Sequence, residues 1–379
     1  MENRPDQKSL GTLTRLFLKL GIIGFGGPAA HIAMMEDEVV SRRGWMERSQ
    51  FLDLVGATNL IPGPNSTEMA IHIGYIYGGL AGLILAGVSF IVPAVLITAF
   101  LAYLYQSFGS LPEISPLLGG IKPVVVAIIA QAVWKLAEKA VKNRSLLLIG
   151  FGVGIAVLGG MNELLALLLG GGLGMIWLGS RSSSALWLGL ITLSSTTIPH
   201  LVVPPNLVQL GLFFLKVGSV LFGSGYVLVA FLQGELVDKY QWLSQSQLLD
   251  AIAIGQLTPG PVLSTATFIG YLILGIPGAI VATIGIFLPS FFWVLLLNPL
   301  IPRLRQSKWA GAFLDAVNVS AVALMGVVTY QLAQETFLAP FNPLGALLML
   351  LSMLLLIRYR VNAAWLLLGG AILGFLAKI

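Results

Sequence analysis

The run Asn59-Leu60-Ile61-Pro62-Gly63-Pro64-Asn65-Ser66 interrupts otherwise apolar sequence, and it returns later as Gln256-Leu257-Thr258-Pro259-Gly260-Pro261. Two prolines lack the donor N–H and the glycine between them has the most backbone freedom to lose, so no helix continues through this run. The surroundings sharpen the constraint. The chain is 57% hydrophobic and only 10% charged, with a mean hydropathy of +0.91, whereas about a quarter of the residues in a soluble domain are charged. Apolar runs of about 20 residues, enough to cross a hydrocarbon core of roughly 30 Å, recur along nearly the whole length. In lipid, a broken helix leaves carbonyls and N–H groups without partners, and such backbone is tolerated only where protein buries it or it lines a wet cavity. The break therefore marks a site or a kink in an all-α polytopic membrane protein.

The same composition excludes several functions. The net charge of +5 sits mostly in short loops, where it sets orientation and makes no case for nucleic acid. There is no Cys, and the three His are His31, His72 and His200, so thiolate clusters and the usual helix-borne His metal motifs are unavailable. No metal and no cofactor is expected. Met1 to Thr14 carries Arg4 and Lys8 and leads into an apolar run without a small-residue cleavage site. It reads as the lead-in to a retained first helix, not as a signal peptide.

The chain is internally doubled. Phe17-Leu18-Lys19-Leu20-Gly21, followed by Gly24-Phe25-Gly26-Gly27-Pro28, reappears as Phe214-Leu215-Lys216-Val217-Gly218, followed by Phe222-Gly223-Ser224-Gly225. The offset is 197 residues from Lys19 to Lys216, and it superposes Glu38 on Glu235, Asp53 on Asp250 and Asn59 on Gln256. After the Pro-Gly-Pro runs it becomes 196, pairing Gly74 with Gly270 and Pro93 with Pro289. The cores of the two copies are 16–137 and 213–333. Dividing the chain between them gives an N-terminal unit, 1–204, with three extra segments and a C-terminal unit, 205–379, with two.

Charge decides the relative sense of the copies. Between Gln106 and Leu118 the first copy has only Glu113, where the second carries Arg303, Arg305 and Lys308. The next loop reverses this, with Lys135, Lys139, Lys142 and Arg144 in the first copy and Glu335 in the second. Lys and Arg mark the cytoplasmic side in short loops, so equivalent loops fall on opposite faces and the repeats are inverted. Three apolar segments between the copies, near 145–160, 163–179 and 185–203, give the odd number of crossings that inversion needs. About thirteen spanning segments result, with the N-terminus inside. If the break-bearing segments are re-entrant, two crossings vanish from each copy and the parity survives.

Paired interruptions in the two halves of a doubled membrane protein point to its binding site. Lys19 and Lys216 are repeated cations in apolar segments, placed to hold an oxyanion or, alternatively, to snorkel towards headgroups. Gly26 and Gly27, like Gly223 to Gly225, allow backbone to approach a ligand, with N–H groups of the following helix facing an anion; close helix packing is the other use of such residues. Asn65, Ser66 and Thr67 after one break, and Ser264 and Thr265 after the other, offer neutral donors. Glu68 is the one acidic residue just after a break and is a candidate proton carrier. The substrate-binding set is thus Lys19, Phe25 to Pro28, Asn59, Pro62 to Thr67, Lys216, Phe222 to Gly225, Gln256, Pro259 to Pro261, Ser264 and Thr265.

The Phe25-Gly26-Gly27-Pro28 run, the charged loop Glu36 to Arg48 around Trp45 and the Asn59 to Pro64 break, all doubled in one chain, resemble the two-domain form of the chromate ion transporter family. The resemblance implies many membrane helices in two homologous halves and export of chromate across the cell membrane, with sulfate as a competing or alternative substrate. It leaves room for a homodimer in the bilayer. The second copy departs from the first motif, with Gly-Ser-Gly where the first has Gly-Gly-Pro. Sulfate uptake is the nearest rival function. A membrane-embedded enzyme is a rival from another class, and it lacks its tools: the chain has no His-Glu-x-x-His, no Cys and no Ser-His-Asp spacing.

Overall fold

The computed structural model describes residues 9–109, 111, 114–179, 204–222, 225–297, 307–337 and 342–377. Gly223, Ser224, His200, Arg303, Arg305 and the apolar run at 185–203 lie outside them. Every regular element among the described residues is helical.

The first copy begins with α1 (Leu10–Ile23), α2 (Gly27–Glu36) continuing into a π-turn (Asp37–Arg42), and α3 (Arg48–Thr58). It goes on through α4 (Asn65–Phe108), α5 (Ser115–Ala140), α6 (Arg144–Leu158) and α7 (Glu163–Gly179). The second copy repeats this order. It comprises α8 (Leu207–Val220), the short α9 (Leu228–Phe231) running into a π-turn (Leu232–Lys239), α10 (Gln245–Leu257) and α11 (Thr265–Leu297). The last three helices are α12 (Lys308–Phe337), α13 (Pro343–Arg358) and α14 (Ala363–Ala377).

Local chemistry repeats with the sequence. Glu47 and Ser244, 197 residues apart, each open a helix with a capping box, closed by Gln50 and Gln247, which satisfies two orphan N–H groups at each start. Both α4 and α11 reverse direction near their beginnings. The reversal is at Gly78-Gly79 (φ −142°, then 60°) and at Leu274-Gly275 (φ −136°, then 62°), positions related by the offset of 196. Beyond each reversal the two limbs lie side by side, Gly74 against the Gly82 carbonyl and Gly270 against that of Gly278.

Tyr77, at the end of the first limb of α4, explains where the broken segments go. Its hydroxyl accepts the Ser9 N–H (3.1 Å), and its ring lies 4.1 Å from that of Trp45. The start of α1, the end of the α2 π-turn and the end of the first limb of α4 therefore share one level. So α1 and α2 form a hairpin with its tip at Gly24–Gly26, while α3 and the first limb of α4 form another with its tip at Asn59–Pro64. The break-bearing segments turn back at these tips. Four helices among the described residues are long and apolar enough to cross a membrane: Asn65–Phe108, Ser115–Ala140, Val262–Leu297 and Lys308–Gln334. Five further apolar helices among the described residues are shorter: Arg144–Leu158, Glu163–Leu178, Leu207–Val220, Pro343–Arg358 and Ala363–Ala377.

The copies interlock. The ends of α4 meet the opposite ends of α11: Thr98 donates to the Ser264 hydroxyl just before α11 (3.1 Å), the Tyr105 ring lies 5.3 Å from that of Phe268, and Leu83 packs with Val294. These two helices run antiparallel. So do α5 and α12, since Lys142 beyond the end of α5 pairs with Asp315 near the start of α12 at 2.6 Å. Helices α6 and α7 pack on α12 of the other copy, and α13 and α14 pack on α5. Asn162 and Asn362 both accept backbone N–H groups at the start of the following helix. The structural repeat thus includes α6–α7 and α13–α14, which lie beyond the cores legible in the sequence.

Candidate functional site

The tips of the hairpins meet across the two copies. Gly63 donates its N–H to the Leu221 carbonyl (2.6 Å), and Gly260 donates to the Gly24 carbonyl (2.7 Å). Position 63 corresponds to 260 and 24 to 221, so one contact is made twice by a pseudo-twofold relation. Gly63 and Gly260 have φ of 147° and 91°, in the region that a side chain opposes. Space forbids one too. A Cβ on Gly63 would meet the Glu68 carboxylate and stand 2.6 Å from the Ser290 hydroxyl, and one on Gly260 would stand 2.9 Å from Ala94 Cβ.

At the crossing of Gly24 with Gly260 the tips line a cavity of about 490 Å³, within the range of small-molecule sites. Gly24, Phe25, Gly26 and Gly27 come from one copy; Gln256, Thr258, Gly260 and Val262 from the other. Helix α5 adds Ile128, Gln131 and Lys135, and the α13–α14 connection adds Arg360 and Asn362. Tyr226 donates to Gln256 Oε1 at 3.3 Å, and His31 Nε2 lies 2.9 Å from the Gly24 carbonyl, within reach to donate to it. Gln131 donates to the Leu356 carbonyl (2.8 Å), holding the end of α13 against α5. The site offers glycine-rich backbone, amide and hydroxyl groups and two cations. Such a set binds an anion through hydrogen bonds and charge together.

The sequence-predicted residues divide between places. Phe25, Gly26 and Gly27 join Gln256 and Gly260 around the cavity, while Pro28, Pro259 and Pro261 flank it in sequence. Asn59, Pro62, Gly63 and Pro64 belong to the second crossing, with Leu221, Phe222 and Gly225 of the other copy nearby in the chain. Asn65 donates to Asn59 (2.9 Å), Ser264 accepts from Thr98, and Thr265 donates to the Val262 carbonyl (2.8 Å). Ser66 and Thr67 are buried. Glu68 is fully buried, and its counterpart at the offset of 196 is Ser264. Neither Glu68 oxygen has a hydrogen-bond partner among the described residues.

Lys19 and Lys216 lie elsewhere. Lys19 contacts Glu38 at 2.6 Å, with Arg43 on the other carboxylate oxygen at 3.3 Å, and Lys216 forms an ion pair with Glu235. The Lys19 hydrogen bond, with Arg43 beyond it, holds the Glu38 carboxyl below its usual range against the opposing effect of burial. Glu38 and Glu235 superpose at the same offset as the lysines, so the sequence carried the signal for this pairing. The sequence-based set lacks Gln131, Lys135, Tyr226, Thr258, Arg360 and Asn362, and for the two cations no local motif could have supplied them.

The profile of a family described as chromate transporter matches residues 11–175 and 208–375. The chromate transport protein of Cupriavidus metallidurans is 32% identical over 97% of this chain and 93% of its own length. A probable chromate transport protein of Synechococcus elongatus is 34% identical over 84% of each chain. The chromate transport protein of Pseudomonas aeruginosa is 30% identical over 88% of this chain and 83% of its own. No solved structure matches.

Proposed function

The chain belongs to the chromate transporter family, and from that premise we propose that it moves the chromate dianion outward across the cell membrane through the crossed hairpin tips. The observation that carries this reading is the cavity at the Gly24–Gly260 crossing, where both copies expose breaks beside two cations. The relatives' names supply the substrate, and a tetrahedral dianion suits the donor set.

On this reading the repeats are inverted, with the N-terminus in the cytoplasm. Antiparallel α4 with α11, and α5 with α12, is the relation an axis in the membrane plane would impose. Arg42, Arg43 and Arg48 would then share the cytoplasmic level with Lys139, Lys142 and Arg144, in keeping with the bias of short loops. The hairpins of one copy enter from the cytoplasm, those of the other from outside, and their tips meet within the membrane. Backbone broken at that depth is surrounded by protein or faces the cavity, as lipid requires.

The test is flux in proteoliposomes holding the purified protein, with labelled chromate and sulfate each measured against the other as competitor. Chromate movement that sulfate only weakly inhibits supports the reading. Sulfate carried inward, with chromate a poor competitor, replaces it with sulfate uptake.

A further inference from the structure

The pseudo-twofold relation makes the charge around the cavity conspicuous, because that charge is not repeated. Lys135 lies near the end of α5 and corresponds to Gln331 of α12 at the offset of 196. Arg360 lies between α13 and α14 and corresponds to Gly160 between α6 and α7, 200 residues earlier. We propose that Lys135 and Arg360 capture the oxyanion on the cytoplasmic side, and that the uncharged Gln331 and Gly160 leave the opposite side unable to hold it. The inference rests on the reading above for the location of the path, and it adds the residues that set the affinity for the anion on the cytoplasmic side.

Backbone geometry supports a use for the Arg360 side chain. Both loops need a left-handed residue at this position: φ is 91° at Gly160 and 53° at Arg360. Glycine takes that conformation freely, whereas a long side chain is disfavoured there. An arginine in such a place, lining a cavity, is an outlier of the kind found at ligand sites. Its fork also suits the oxygen pairs of a tetrahedral oxyanion.

Both cations are available. Lys142 is held by Asp315 and Lys19 by Glu38, but neither Lys135 nor Arg360 makes an ion pair with a described residue. Gln131, one turn before Lys135, fixes α13 to α5 and so brings the two cations to one cavity. The opposite side carries an acidic group instead: Glu163, at the start of α7, packs against Gly234, and its counterpart 200 residues later is Ala363.

The experiment measures the half-saturating chromate concentration from each face in oriented proteoliposomes. Arg360→Gly keeps the backbone conformation at ease, and Lys135→Gln sits on an exposed part of α5, so both variants should insert normally. Each should raise half-saturation about tenfold or more from the cytoplasmic face, the worth of one charge-assisted hydrogen bond, and leave the outer face unchanged. Arg360→Lys should recover part of the loss, and Gln331→Lys should improve half-saturation from outside. If wild-type protein moves no chromate, the functional reading itself fails. If wild-type flux is normal and both cytoplasmic variants match it, or lose equally from both faces, only the charge assignment is overturned.

Discussion

Gly63 donates its backbone N–H to the carbonyl of Leu221, and the contact is repeated by Gly260 and Gly24 at the pseudo-equivalent positions. Each bond satisfies a group that a broken helix leaves open, and each joins one copy to the other. The breaks are therefore structural joints between the copies, and Gly24 and Gly260 also line the cavity.

Replacing Gly63 or Gly260 should weaken its joint. At Gly63 an alanine meets Glu68 and Ser290, and at Gly260 it meets Ala94, in addition to the unfavourable φ. Gly63→Ala and Gly260→Ala should each lower stability by about 1 to 3 kcal/mol, read as a reduced melting temperature in detergent. Unchanged melting in both variants would mean that the tips are not tightly joined.

The inverted arrangement proposed above predicts opposite accessibility for equivalent loops. The chain has no Cys, so single cysteines can be placed without removing others. Gly159→Cys between α6 and α7, and Tyr359→Cys between α13 and α14, should react with an impermeant thiol reagent from opposite faces. Labelling of both from one face would place the pseudo-twofold axis along the membrane normal.

The breaks and the doubling were legible in the sequence because proline and glycine act on their own backbone and because the matched residues are distinctive. Correspondence of α6–α7 with α13–α14 was not, since Leu- and Gly-rich runs carry few distinguishing side chains. The matched features are Asn162 with Asn362 and a left-handed residue at 160 and 360. Lys135 and Arg360 are far apart in the chain and meet only because α13 and α14 pack on α5. A pairing of that range is a property of the assembled fold.

Lys19 and Lys216 should respond differently to neutralisation. In Lys19→Gln the Glu38 carboxylate keeps Arg43, so the loss should resemble that of an exposed pair, about 1 kcal/mol or less. In Lys216→Gln the nearly buried Glu235 loses the one cation paired with it among the described residues, and the loss should be larger, up to about 3 kcal/mol. Unfolding in detergent checks the order. Equal losses would show that Arg43 does not share the charge of Glu38.

The same network predicts an acid limb of stability. Glu38 titrates below its ordinary value of 4.5 in the folded protein because of Lys19 and Arg43. A lowered folded value means that the unfolded chain takes up protons first. The stabilisation is present above 4.5 and is lost as the pH falls through the lower folded value. Glu38→Gln should be less stable than wild type at neutral pH, and the difference should shrink on acidification. A difference that stays constant down to pH 3 would remove Glu38 from the acid response.

What drives the flux follows from the charge of the substrate. One elementary charge crossing a membrane potential gains about 2.3 kcal/mol per 100 mV, so a dianion leaving a negative interior gains about 4.6 kcal/mol per 100 mV. That corresponds to more than a thousandfold in concentration at equilibrium. Outward movement therefore needs no coupled ion, whereas inward movement of the same dianion would need more than two cations travelling with it. Coupling of that kind draws on carboxylates within the membrane. Here Glu68 is fully buried beside one break, and Ser264 occupies the matching position beside the other, so a repeated pair of proton sites is missing at these positions. Chromate flux in proteoliposomes should follow an imposed potential, inside negative for release, and persist in Glu68→Gln with at most a changed rate. Flux that tracks a pH gradient and ignores the potential, or that vanishes in Glu68→Gln while the variant still inserts and melts normally, would instead make the transporter proton-coupled through Glu68.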